Sequence, residues 1–93
     1  MIKSFADKET AALFNGEPVR KLPDLICRRA MAKLQIIDNA ADISDCAMPP
    51  GNRLEALSGT RAGQHSIRIN DQWRVCFRWK DGDAYEVEIV DYH

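Results

Sequence analysis

The sequence predicts an α+β fold, two N-terminal helices packed on one face of an antiparallel sheet. Three observations carry this expectation. Apolar residues recur at helical spacing ahead of Pro49-Pro50-Gly51-Asn52, they alternate with polar residues after it, and the Pro-Pro-Gly-Asn run itself ends any helix. Helices first and strands after suits helices covering a sheet's apolar face. A chain of 93 residues holds one modest core, so residues 1–93 are read as one domain.

Each element has a local cause. Met1-Ile2-Lys3-Ser4-Phe5 alternates loosely and reads as a short strand. Asp7 can cap a helix running through Glu9, Ala11, Ala12, Leu13 and Phe14, and Gly16 stands where a left-handed C-cap belongs. Pro23 opens a second helix, where a missing N–H costs nothing, and Ile26, Ala30, Leu34 and Ile37 form its apolar stripe. Arg28, Arg29 and Lys33 fall off that stripe and read as solvent-facing, although such residues can also dock a partner. Asn39 to Ala47 stays open between a further helical turn and a loop.

After Arg53 the period is two. Ile67 and Ile69 alternate with Ser66 and Arg68; Trp73, Val75, Phe77 and Trp79 with Arg74, Cys76 and Arg78; Tyr85, Val87 and Ile89 with Glu86 and Glu88. Asn70-Asp71 and Asp81-Gly82-Asp83 supply the turns. Register must keep apolar residues opposite apolar ones. Ile69 is therefore expected opposite Trp73 and Ile67 opposite Val75, which brings Arg68 opposite Arg74. In the second hairpin Trp79 opposite Tyr85 and Phe77 opposite Val87 would put Arg78 opposite Glu86, an ordinary structural charge pair. Arg68 with Arg74 is a like-charge pair, unfavourable by up to about 1 kcal/mol unless an anion sits between them. Tyr92 shares a face with Arg74, one diagonal step away. Arg74 is expected to face outward and to contribute little core area.

Net charge is −1, but its distribution is uneven. Residues 50–80 carry six basic side chains against two acidic ones, and residues 81–93 carry five acidic ones with no lysine or arginine. Five of the six basic residues are arginines, which match phosphate bidentately and stay charged. Charge alone leaves this block open between phosphate recognition and a solvated sheet face. Cys27, Cys46 and Cys76 are odd in number and widely spaced, so they read as thiols in a reducing compartment, not as disulfides or zinc ligands. No metal or cofactor is expected. No apolar run approaches the ~20 residues of a membrane span, and no signal peptide is read at the N-terminus, so the expectation is a cytoplasmic protein with no membrane contact. His65 falls on the inward face of its strand and reads as packing.

The segment from Arg53-Leu54-Glu55-Ala56-Leu57-Ser58-Gly59 through Arg61 to Trp73-Arg74, then Gly82-Asp83-Ala84-Tyr85 to Asp91-Tyr92-His93, together with the opening Met1-Ile2-Lys3-Ser4-Phe5, closely resembles HigB-type toxins of the RelE superfamily, in particular the GraT-like subgroup. The resemblance covers essentially the whole chain. It implies a RelE-like fold, metal-free cleavage of mRNA in the ribosomal A site, and a HigA-like helix-turn-helix antitoxin as partner, with operator DNA reached only through the toxin–antitoxin complex. It implies catalytic roles for Arg74, Asp91, Tyr92 and His93, with Arg61, Arg68 and Arg53 assigned to phosphate. Two positions depart from the family pattern. Glu55 stands where HigB proteins with a central histidine hold it, and Ser58 where a lysine is often found. Glu55 can stand in as the base, but a carboxylate is ordinarily a weaker base than an imidazole, and mild toxicity is the expectation. The alternative is a binding module that docks RNA or antitoxin without cleaving.

Overall fold

The Asp7 carboxylate accepts a hydrogen bond from the Thr10 amide and so starts α1 (Lys8–Phe14) where the sequence places it. The structure, a computed structural model, describes residues 1–92. Gly16 follows α1 with φ +82°, the left-handed stop expected of it. Helix α2 (Asp24–Asn39) buries Ile26, Ala30, Leu34 and Ile37, the predicted stripe, with Pro23 as its N-cap. The segment left open resolves into a 3-10 turn at Ile43–Ala47, nucleated by a reciprocal capping box between Asp42 and Asp45. A second 3-10 turn, Pro50–Asn52, leads to Arg53 in the left-handed region at φ 47°.

The strands are β1 (Glu55–Ala56), β2 (Gln64–Arg68), β3 (Trp73–Lys80) and β4 (Asp83–Asp91), in that spatial order and antiparallel throughout. Ile2 and Phe5 add isolated parallel bridges to β4, at Ala84 and Val87, so the opening residues run along the sheet edge. Both helices cover the face carrying Ile67, Val75, Phe77 and Val87, all fully buried with Leu34 and Ile37. Trp73 and Trp79 pack at the margin of this core. His65 joins the same side, stacked on Phe77 at 6.3 Å. The three cysteines are free, and burial pushes the thiols of Cys46 and Cys76 upward, Cys46 to about 11.

The first hairpin has the expected register: Ile67 pairs Val75 and Arg68 pairs Arg74, and the Ile69 amide donates to the Trp73 carbonyl. The second hairpin departs from expectation by one residue near its turn. Trp79 lies opposite Ala84, not Tyr85, and Arg78 opposite Tyr85, not Glu86. The cause is a two-residue turn, Asp81-Gly82, in which both φ angles are positive (52° and 82°), as in a type I′ hairpin. A β-bulge then restores the expected pairing of Val75 with Ile89. Its hallmark is Glu86, a non-glycine residue at φ 52°, whose amide is satisfied by the Ser4 hydroxyl. Arg78 and Glu86 still form the expected ion pair, reaching diagonally across the irregularity at 2.5 Å. Both side chains are about half exposed, so Arg78→Ala should cost at most ~1 kcal/mol in a denaturant titration. No helix among the described residues is long and apolar enough to cross a membrane.

Candidate active site

The sheet face turned away from the helices is only partly in solvent. Ser66 and Cys76 are fully buried on it and Arg74 is 8% exposed, which corrects the expectation of an outward-facing Arg74. Strand alternation assigned Arg74 to the right face but could not reveal what lies over that face. The segment after Pro50–Asn52 folds across it. Arg74 Nε donates to Ser66 Oγ at 2.9 Å, and Arg74 Nη2 to the Arg53 carbonyl at 2.7 Å. The Tyr92 ring covers the guanidinium, 5.4 Å from its carbon to the ring centroid, as the diagonal placement predicted. The Glu55 carboxylate approaches Nη1 to 3.9 Å and is half exposed. Arg74 is thus oriented by three groups, and its Nη1 edge meets the surface beside a carboxylate.

That edge opens into a cleft of about 230 Å³ lined by Arg53, Arg68, Arg74, Glu55 and Tyr92, with Asn70 and Asp71 at its end. Three arginines therefore line one cleft with a glutamate and a tyrosine. Chemically, such a cleft suits a phosphodiester: arginine forks for its oxygens, a carboxylate able to take a proton, and an aromatic face for a base. A neighbouring recess of about 330 Å³, on the far side of Glu55 and Tyr92, is bounded by Ser58, Thr60 and Arg61.

The other sequence-nominated residues divide. Arg68 stands opposite Arg74 but is ion-paired to Asp71. Arg61 donates to Gln64 at 3.0 Å and to Glu88 at 2.7 Å, and the Glu88 bond raises its pKa further above the ordinary arginine value, against burial. Arg61 is therefore held at the recess, away from the three-arginine cleft. Asp91 pairs with Trp73 across the sheet and accepts from Gln72 Nε2 at 3.2 Å, so strand alternation places it on the face opposite Tyr92. The main chain fixes Tyr92 through its amide, which donates to the Gln72 carbonyl at 2.6 Å. His93 lies outside the described residues.

Three supporting residues escaped sequence reasoning. Asn52, read only as part of a helix-ending run, is fully buried; its amide donates to the carbonyls of Cys46 (3.2 Å) and Met48 (3.0 Å). Lys33, read as solvent-facing, reaches Asn52 Oδ1 with its ammonium group. Together they secure the bend that delivers Arg53. Ser66 is the third, a small polar residue whose burial beneath Arg74 nothing local in the sequence announces.

An α+β scaffold presenting an arginine-lined cleft defines the class. Solved structures share the scaffold: two descriptions of the YoeB–YefM toxin–antitoxin complex from Staphylococcus aureus superpose with a TM-score of 0.63 at 16% identity, covering 100% of this chain and 98% of the other. Over residues 3–93 the sequence matches the family described as the RelE-like toxin of type II toxin-antitoxin system HigB. It is 40% identical over 85 residues, 90% of each chain, to Toxin HigB-1 of Vibrio cholerae. It is 36% identical over 93 residues, all of both chains, to Endoribonuclease HigB of Proteus vulgaris. The chain belongs to the HigB-like family of RelE-type toxins.

Proposed function

We propose that this protein is the toxin of a type II toxin–antitoxin pair and cleaves mRNA in the A site of the translating ribosome without a metal ion. The observation that carries the reading is the convergence of Arg53, Arg68 and Arg74 in one cleft, beneath Tyr92 and beside Glu55. Glu55 takes the proton from a ribose 2′-OH, and that oxygen attacks the adjacent phosphorus. The Nη1 edge of Arg74, with Arg53 and Arg68, stabilises the negative charge that develops on the phosphoryl oxygens. The P–O5′ bond breaks and His93, the acid that the family resemblance implies, protonates the leaving oxygen. Tyr92 stacks on a base and keeps the Arg74 fork in plane. Arg61 binds a flanking phosphate only after leaving Glu88.

The antitoxin is a HigA-like helix-turn-helix protein, the complex reaches operator DNA through it, and the toxin acts in the cytoplasm; family membership supports this pairing. The ion pairs already made by Arg61 and Arg68 favour a second reading, a module that docks RNA without cutting it. Primer extension on mRNA held in programmed ribosomes separates the two. A new 3′ end inside the A-site codon is expected, and it should persist with EDTA added at magnesium levels that keep ribosomes intact. Ribosome binding with no new end would establish the docking module, and a cut lost on chelation would overturn metal-free cleavage.

A further inference from the structure

Further basic residues lie on α2. Arg29 and Lys33 are four residues apart on α2, hence neighbours on one helix face. Lys33 is anchored to Asn52, the residue before Arg53, and burial followed by the charges of Arg29 and Arg68 lowers its pKa. Arg29, Lys33 and Arg68 thus form one electrostatic neighbourhood that joins the cleft through Arg68. Among the described residues Arg29, Lys33 and Arg53 enter no ion pair, whereas Arg61, Arg68, Arg74 and Arg78 each have a carboxylate. Cations gathered on one surface repel one another, and an added anion relieves that repulsion.

We propose that Arg29 and Lys33 extend the site as a track for the sugar-phosphate backbone of single-stranded RNA, binding phosphates beyond the one that reacts. This rests on the RNA-cleaving reading of the cleft. The track carries no base preference, because it offers only cations aimed at phosphate. Its role is to hold the strand outside the cleft in line with the reacting linkage. Lys33 contributes position as well as charge through Asn52, so Arg29, which is exposed and makes no ion pair, is the residue to test.

The test measures binding of fully 2′-O-methylated RNA, which has no nucleophile and stays intact, by fluorescence anisotropy across a range of salt concentrations. A trinucleotide and a strand several times longer are compared. For Arg29→Gln the slope of log affinity against log salt should fall by about 0.7 on the long strand, the increment for one phosphate contact to a single strand, with trinucleotide affinity unchanged. Arg28→Gln removes the same charge about 100° around α2 and should leave the slope as in the wild type. Arg53→Gln should weaken both oligonucleotides. The track is wrong if Arg29→Gln matches the wild type on the long strand, or if Arg28→Gln lowers the slope equally, which would mark a net-charge effect. Equal loss on the trinucleotide would place Arg29 within the cleft and also overturn a separate track. Failure of the cleft reading is distinguishable, because Arg53→Gln would then change neither oligonucleotide.

Discussion

Arg74→Ala is expected to abolish growth inhibition and A-site cleavage, and also to lower the melting temperature. The catalytic loss follows from geometry. Arg74 is the one guanidinium in the cleft held by a hydroxyl, a carbonyl and an aromatic ring, so it meets the developing charge without reorganising. Removing one such donor costs on the order of 10²–10³ in rate. The stability loss follows from burial. Without Arg74 the fully buried Ser66 hydroxyl loses its partner, at a cost of roughly 1–3 kcal/mol. For a domain this small each kcal/mol lowers the melting temperature by roughly 4–8 °C. Arg74→Lys keeps the charge but cannot serve Ser66 and Arg53 together, so it should rescue solubility more than cleavage. A folded Arg74→Ala protein that cleaves at the wild-type rate would remove Arg74 from the mechanism.

His93→Gln should slow single-turnover cleavage on programmed ribosomes by about 10²–10⁴, the contribution of a general acid, with an unchanged melting curve. Tyr92→Ala should lose cleavage as well, since its ring both caps Arg74 and offers a stacking surface. Tyr92 is among the exposed large hydrophobic residues, so the fold should tolerate its removal. Tyr92→Phe keeps the ring and should retain most activity if stacking is its role; a loss as deep as that of alanine would instead give the phenol a proton to move. Full activity in His93→Gln would remove His93 from the proposed mechanism as its general acid.

Much of the scaffold was legible because its signals are local. The α2 stripe, the Asp7 cap and the alternation of β2 and β3 each depend on residues a few positions apart. The facing of Arg68 and Arg74 and the placement of Tyr92 over Arg74 followed from apolar matching alone. What stayed hidden depends on chain segments distant in sequence. Nothing near Arg74 shows that the Arg53 carbonyl will reach it across a gap of 21 residues. Nothing near Lys33 points to Asn52. The bulge was hidden for a different reason: Glu86 adopts a left-handed conformation that a glycine or asparagine would have advertised.

That single offset decides which end-of-strand side chain reaches Arg74. The Asp81-Gly82 turn sets Lys80 against Asp83, and an uninterrupted ladder would continue in that frame. Arg74 would then face Ile89, and Asp91, not Tyr92, would share its side of the sheet. With Glu86 as the extra residue, Arg74 faces Val90 and Tyr92 comes round over the guanidinium. The strand is thus read in two frames, like a message with one inserted letter, and its tolerance of deletion depends on position. Removing Glu86 itself would straighten the ladder and leave Tyr92 in place. Removing any one residue from Val87 to Val90 would turn Tyr92 to the Trp73 side and strip the Arg74 guanidinium of its ring.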